Sequence, residues 1–581
     1  VNSEQPMIQS GCENLYTHFT QFVKQAKKNG EVVHCDEQFL IVKYDDNTTD
    51  IFDVAYRKIY VGNMDILKVY VKVGDKFRAG DILAESKFCE DGKIMFGKNL
   101  LTAIMVYYGH NYEDGIVISD RLVKDDSFTS LHFKDLSFNL APNKILMSLC
   151  DDKYKPLPEP FDFVDVGTPY AKLKEVPIST VDYCTIFNEE IPFIAKKRIM
   201  ITEVNIYPNT WNTDIPEFKE WVEEKIQAQN EKEISLKKVI TTHLSKDEAN
   251  QFIRERNIDK FSHTGEKGSG GKYRIKGEKV NGIHVELFGI YRRPIELGDK
   301  IANRHGNKGV IAEIIPHEKM PQLEDGRNVD ICINPLGIIS RMNIGQLFEL
   351  HLAMSLYDLR KHLKQMISDE KSKDELRSYL IDYIKILDQT EGNWYLNQFT
   401  SEIDLLPNGI NEQLVDDLYL IQPPFESITM DVIKEALVYT NTPFEFRLYD
   451  PVVLKDFLLN TVAVGYIYFF RMVHIAEERL AARGIGSYAR RTLQPLAGRK
   501  NRGGQRCGEM ETACLIAHDG VENLAEFLTT KSDCIDSKNR FIREMIETDL
   551  IRGEEKELCY VPESVKLLNA YLTLAGVVKD D

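Results

Sequence analysis

The run Gly298-Asp299-Lys300-Ile301-Ala302-Asn303-Arg304-His305-Gly306-Asn307-Lys308-Gly309 lies between two segments rich in β-branched residues, 282–291 and 310–315. Its glycines permit a tight reversal and a close approach of backbone to a ligand, so the segment reads as a hairpin between strands. Two lysines, Lys300 and Lys308, flank the pair Arg304-His305. Ammonium groups on such a turn suit phosphate oxygens, each acting as a compact point charge. The spacing and the hydroxyl of a Walker loop are absent. Taken alone, the run fits a basic surface hairpin as well as it fits a phosphate site.

Upstream, strands are expected at 100–108 and 115–119, and between them stands Tyr108-Gly109-His110-Asn111-Tyr112-Glu113-Asp114-Gly115. Neighbouring carboxylates in a turn can face one site, so Glu113 and Asp114 mark a weak Mg2+ position, partly through water. An acidic turn ahead of a strand is the plainer alternative. Residues 31–86 alternate short β-branched and aromatic runs with turn signals such as Asp45-Asp46-Asn47, a strand-rich module; a helix over 15–27 precedes it. The stretch 127–280 is richer in proline and charge, with helices expected at 216–229 and 246–257 and a glycine-rich turn at 265–271. It reads as an insertion that leaves and re-enters a β core, whose strands resume at 282–291, 310–315 and 329–333.

Downstream comes Asn334-Pro335-Leu336-Gly337-Ile338-Ile339-Ser340-Arg341-Met342-Asn343-Ile344-Gly345-Gln346. Pro335 and Gly337 stop the strand, and Ser340 caps a helix over 342–368. Arg341 then falls at a helix N-terminus, where backbone N–H groups favour anions; a structural arginine is the alternative. A second helix is expected over 463–483, with His474 inside it. From Ala481 to Arg506 there is no Asp or Glu, while Arg483, Arg490, Arg491, Arg499, Lys500, Arg502 and Arg506 accumulate. With Gln505 and its neighbouring glycines, this block suits a loop following a polynucleotide backbone; a solvated basic loop is the alternative. Helices over 508–528 and 563–574 complete the pattern.

At 581 residues the chain exceeds a single core, and roughly three to five structural units are expected. The net charge of −17 governs solubility rather than where phosphate binds, which local clusters decide. The ten cysteines include no C-x-x-C pair, which speaks against a zinc ribbon or a disulfide framework and for a reducing, intracellular setting. No apolar run approaches the roughly 20 residues of a membrane span, so no membrane is expected among its partners.

Four of these runs, in this order, resemble signatures of the β subunit of cellular-type, multisubunit DNA-dependent RNA polymerase: 112–119, 298–309, 334–346 and 494–511. Segments 114–130, 446–450, 528–532 and 562–568 are similar as well. The resemblance reaches nearly the whole chain apart from the insertion and residues 370–440, and corresponds to the C-terminal half of that subunit. It implies an α+β multidomain fold: a double-psi β barrel with a flap or wall insertion and a helical C-terminal clamp-anchoring region. The units implied are a strand-rich, hybrid-binding region over 1–92, barrel halves at 93–126 and 281–345, and the insertion at 127–280. A helical and mixed region over 346–450, a hybrid-binding helix and basic loop over 451–515, and a clamp-anchoring segment over 516–581 follow.

The resemblance further implies that Lys300 and Lys308 contact the RNA 3′ end and neighbouring phosphates, with Arg304 and His305 beside them on nucleic acid. Glu113 and Asp114 lie near a second, nucleotide-borne Mg2+, and Arg341 and His474 approach the triphosphate of the incoming nucleotide. Basic residues from Arg479 and Arg483 through Arg490, Arg499, Lys500, Arg502, Gln505 and Arg506 line the RNA–DNA hybrid or the template. The sequence departs from the family at Gln494-Pro495-Leu496-Ala497-Gly498-Arg499-Lys500, where Q-P-L-G-G-K is usual, and no N-A-D-F-D-G-D run occurs.

The primary Mg2+ is accordingly expected on a β′-like partner, and no zinc is expected. An N-terminal β-like polypeptide, a promoter-specificity subunit, template DNA, nascent RNA and NTPs complete the expected partners. A split β of the kind carried by giant bacteriophages is the simplest account. It implies the cytoplasm of a bacterial host, with the virion as a further location. A non-catalytic nucleic-acid-binding scaffold barrel within a transcription complex is the alternative, and retention of both lysines, the acidic pair and Arg341 argues against it. A polymerase copying RNA on a related barrel would carry the same runs.

Overall fold

The computed structural model describes residues 2–19, 22–36, 39–54, 57–58, 64–65, 67–142, 144–150, 154–175, 191–209, 216–243, 266–267, 273–275, 278–387, 415–423, 428–476, 480–484, 486–548 and 563–577. They divide into two units, 1–473 and 474–581. Among them no helix is long and apolar enough to cross a membrane.

The centre of the first unit is a closed barrel of six strands. They are β1 (Gly97–Ile104), β2 (Gly115–Ser119), β3 (Lys300–Asn303), β4 (Lys308–Ile315), β5 (Ile331–Ile333) and β6 (Val464–Arg471). Around the barrel the order is β1-β5-β2-β4-β3-β6. The β1/β5 and β2/β4 pairs are parallel, and the other four are antiparallel. Every strand gives a side chain to one interior cluster, which includes Leu100, Ile116, Ile118, Ile301, Ile311, Ile331, Ile333, Ile467 and Phe469. The alternate residues Leu101, Ala103, Val117, Cys332 and Val464 belong to a second buried cluster with Met354 and Leu448. Strands buried on both faces lose the in-out alternation that marks a half-exposed strand.

That loss explains the largest correction. Residues 463–483 were expected to be helical, yet β6 pairs along its length with β1, Gly97 opposite Phe470 through Ala103 opposite Val464. A continuous run of β-branched and aromatic side chains is compatible with a buried helix or a buried strand by periodicity alone. His474 consequently lies outside any helix and is exposed.

Residues 127–293 build a separate sheet. Ser130–Asp135, Phe138–Leu140, Phe163–Val164, Ile199–Pro208 and Ile283–Arg293 form it, and Phe218, Trp221 and Val222 of the helix Pro216–His243 pack into its core. The strand expected to re-enter the barrel at 282 thus pairs with Ser130–Asp135 and Ile199–Pro208 instead, and the barrel resumes at Lys300. The helix expected at 246–257 lies outside the described residues.

Beside the barrel stand four helices: α1 (Pro335–Arg341), α2 (Gly345–Ser368), α3 (Lys373–Leu387) and α4 (Met430–Tyr439). Leu352, Leu356, Leu359 and Leu363 of α2 meet Leu376, Leu380, Ile433 and Leu437 in one core. The helix expected at 15–27 is shorter, Glu13–Phe19, because Val23–Gln25 pairs as a strand with Ile82–Ser86. In the second unit, the helix expected over 508–528 is broken into Glu509–Ala517 and Val521–Leu528. Asp519 takes a left-handed φ of 56° there and the Gly520 N–H bonds back to the Leu515 carbonyl at 2.8 Å, a common way to end a helix. The helix over Glu563–Leu574 forms as expected.

Candidate active site

The β3–β4 hairpin sets the two lysines on one face. Lys300 stands opposite Val310, Ile301 opposite Gly309 and Ala302 opposite Lys308. Side chains alternate along a strand and directly opposed residues share a face. Ile301 therefore enters the barrel core while Lys300 and Lys308 are diagonal neighbours on the other face. Neither lysine forms an ion pair with a described carboxylate.

Their rigidity comes from the turn. The Asn303 side chain accepts the N–H groups of His305 at 3.0 Å and Asn307 at 3.1 Å. Gln346, at the start of α2, accepts from the side chains of Asn303 at 2.9 Å and Asn307 at 3.2 Å.

Arg304 and His305, the two other side chains of the turn expected to meet phosphate, both bond one carboxylate. Arg304 donates to Glu349 at 2.8 Å and His305 contacts the other oxygen of the same carboxylate. Glu349 also accepts the backbone N–H of Tyr468 on β6 at 3.0 Å, and the Arg304 guanidinium lies 5.3 Å from the Tyr468 ring centroid. Burial pushes the Glu349 carboxyl up, but the Arg304 charge and the His305 hydrogen bond outweigh it and hold it below the usual range. Arg304 and His305, expected on nucleic acid, also tie the hairpin to α2 and β6.

The acidic pair ends the turn before β2. Buried Asn111 pins this turn, accepting from the Tyr107 N–H at 2.9 Å and donating to the Met105 carbonyl at 2.7 Å. Glu113 is exposed in a left-handed conformation, φ 50°, uncommon for a residue with a side chain and frequent at functional turns. The Asp114 carbonyl accepts the Val310 N–H at 2.9 Å, and its carboxylate pairs with Arg341 at 2.6 Å. Both partners are nearly half exposed, so the pair contributes about 0–1 kcal/mol to stability and its main effect is placement.

Gly309 makes this approach possible. A Cβ there would lie 2.4 Å from the Asp114 carbonyl oxygen and 2.6 Å from Ile116 Cδ1. Gly309→Ala is expected to destabilise the hairpin by about 1–3 kcal/mol through overpacking. Faster hydrogen exchange at the Val310 amide is the readout, and unchanged protection there would contradict the argument.

Arg341 reaches Asp114 from the C-terminal end of α1, not from a helix N-terminus. Asn334 caps α1, accepting from the Leu336 N–H at 2.9 Å, with Pro335 in the first turn. An Asn cap followed by Pro is a stronger start signal than Ser340, so the helix begins earlier and stops at Met342, φ 55°. Asp114 and Arg341, far apart in sequence, are thus joined by an ion pair, and the Asp114 backbone bonds β4, the strand that begins with Lys308.

His474 and the basic block belong to the second unit. Arg483 is a stitch within the loop, donating to the carbonyls of Arg502 at 2.5 Å and Ser487 at 3.1 Å, with its guanidinium 4.9 Å from the Tyr488 ring centroid. Arg490, Arg499, Arg502, Gln505 and Arg506 are exposed, which suits contact with a polyanion. Lys500 lies in a short 3-10 turn, and Arg479 lies outside the described residues.

Sequence reasoning missed Glu349, Asn303 and Asn111. The available signal was Glu349 three residues after Gln346, on one face of an otherwise apolar helix segment.

The family model for RNA polymerase Rpb2, domain 6, matches residues 25–501, and that for domain 7 matches 503–578. Among curated proteins, the chain is similar to the DNA-directed RNA polymerase subunit beta of Mycoplasmoides gallisepticum, with 29% identity over 98% of this chain and 40% of the relative. The subunit beta of Prochlorococcus marinus is 29% identical over 99% and 45%, and that of Mesomycoplasma hyopneumoniae 30% over 98% and 39%. The chain thus spans less than half the length of these relatives.

Proposed function

The chain belongs to the RNA polymerase Rpb2 family, and we propose that it supplies the β-type side of a DNA-dependent nucleotidyl-transfer centre whose primary Mg2+ sits on a β′-like partner. The observation that carries this reading is Lys300 and Lys308 on one face of a hairpin, unmatched by a described carboxylate, with the Val310 N–H of the same hairpin bonded to the Asp114 carbonyl. In phosphoryl transfer, positioning and charge neutralisation supply most of the catalysis. Lys300 and Lys308 hold the phosphates and the RNA 3′ end and offset the charge that grows as the 3′ oxygen attacks the α-phosphate. Arg341 approaches the triphosphate while fixing Asp114, and His474 and the exposed arginines of the second unit contact nucleotide and hybrid.

Glu113 and Asp114 suit a Mg2+ that arrives with a nucleotide, because this ion usually takes one or two carboxylates and fills its other positions with phosphate and water. The closed barrel with two parallel pairs supports a double-psi topology. The sheet of residues 130–293 supports the flap, and the helices of 509–574 the clamp anchor.

The test is RNA synthesis by the complex purified through this chain, given DNA template, NTPs and Mg2+. Template-directed product is expected; its absence when a β′-like chain is present, or copying of RNA templates alone, rejects the reading. In the same assay Glu113→Gln with Asp114→Asn should raise the Mg2+ needed for half-maximal rate by about three- to tenfold. An unchanged requirement would remove the acidic pair from the ion.

A further inference from the structure

Arg471, the last residue of β6, carries a guanidinium that meets five acceptors on three chain segments. One nitrogen, Nη1, donates to the Phe128 carbonyl at 2.9 Å, Ser130 Oγ at 3.2 Å and the Arg293 carbonyl at 2.9 Å. The other, Nη2, donates to the Pro294 carbonyl at 3.2 Å and Asp299 Oδ2 at 2.7 Å. The Arg471 and Asp299 side chains are 8% and 0% exposed. Phe128 and Ser130 lie where the chain enters the insertion sheet, Arg293 and Pro294 where it leaves, and Asp299 directly precedes Lys300.

Backbone contacts close the same region. Arg471 stands opposite Ile301 in the sheet, the Met472 N–H bonds to the Lys300 carbonyl at 2.9 Å, and the Ile311 N–H bonds to the Asp299 carbonyl at 2.9 Å. Asp299 also accepts the Glu296 N–H at 3.0 Å.

We infer that Arg471 is a positioning residue, acting with Asp299 to fix the strand that presents Lys300 and to lock that strand to both ends of the insertion. This rests on the reading of Lys300 as an active-site group. The planar fork of arginine can span several acceptors at once, whereas a lysine offers a single charged centre. Arg471→Lys therefore keeps a positive charge against Asp299, and with it folding and assembly, while losing the span. Arg471→Met tests the charge as well but takes a cation away from the buried Asp299 carboxylate.

The experiment is steady-state nucleotide addition by the purified complex in two backgrounds, with copurification as the assembly control. With Lys300 present, Arg471→Lys should lower kcat about tenfold with little change in KM; in the Lys300→Ala background the loss should be under about twofold, the non-additivity of residues acting through one another. An equal factor in both backgrounds, or a wild-type rate for Arg471→Lys, overturns the inference. If Lys300→Ala alone elongates at the wild-type rate, the failure lies in the assignment of Lys300, and the inference falls with it.

Discussion

A complex carrying both Lys300→Ala and Lys308→Ala is expected to lose nucleotide addition by about a thousandfold or more, since removing one preorganised charge contact commonly costs about 10²–10³ in kcat. The expectation follows from what each side chain does in the fold. Both lysines stand on the face of the β3–β4 hairpin turned away from Ile301, and neither stabilises the barrel through an ion pair with a described residue. Truncation should therefore spare folding and assembly and act on the reaction. The loss should fall mainly on kcat for the variant that touches the reacting phosphate, because an interaction made only in the transition state lowers kcat rather than raising KM. Single-turnover extension from a preformed RNA–DNA hybrid is the measurement. Near-wild-type extension by the double variant would remove both residues from the site.

Glu349→Ala should have a comparably large effect, on stability instead of chemistry. The carboxylate is 5% exposed and answers three donors at once: Arg304, His305 and the Tyr468 N–H. Removing one partner of a buried ionic cluster costs about 3–5 kcal/mol, because the remaining charge is left uncompensated. The loss should be concentrated in the hairpin and β6, so amides of 300–311 and 464–471 should exchange faster than those of the insertion sheet. Equal protection in both regions would disprove the anchor role.

The same cluster sets a pH dependence. A carboxyl held below its usual value in the folded state contributes stability that is present above its unfolded pKa, about 4.3, and is lost as pH falls through the folded value. The wild-type hairpin should accordingly loosen in acid, whereas a Glu349→Gln hairpin should show a weaker dependence across that window.

Much of this molecule is legible in its sequence. Alternation and turn residues located the hairpin at 298–309 and the strand at Gly115–Ser119, and the separated runs around Lys300, Glu113-Asp114, Arg341 and the basic block pointed to one family. These features are local. A glycine that must take a left-handed conformation, such as Gly306 at φ 80°, or a strand bounded by turn signals, is written within a few residues and survives whatever the rest of the chain does.

The tertiary structure decided which side chains of the hairpin gain a carboxylate partner and which elements close the barrel. Arg304 and His305 look like Lys300 and Lys308 in the sequence, and only the fold pairs them with Glu349, more than forty residues away. Residues 464–471 have the composition of a buried helix until β1 and β3 pair with them, and 283–293 resembles a barrel strand until Ser130–Asp135 claims it. Arg341 changes from a helix start to a helix end because Asn334 caps the chain earlier. The Asn334 cap is a local signal written in the sequence; the other three cases share one physical reason. A strand buried on both faces carries no periodic mark, and a side chain's hydrogen-bonding partner is selected by long-range packing, so neither is encoded in the spacing of neighbouring residues.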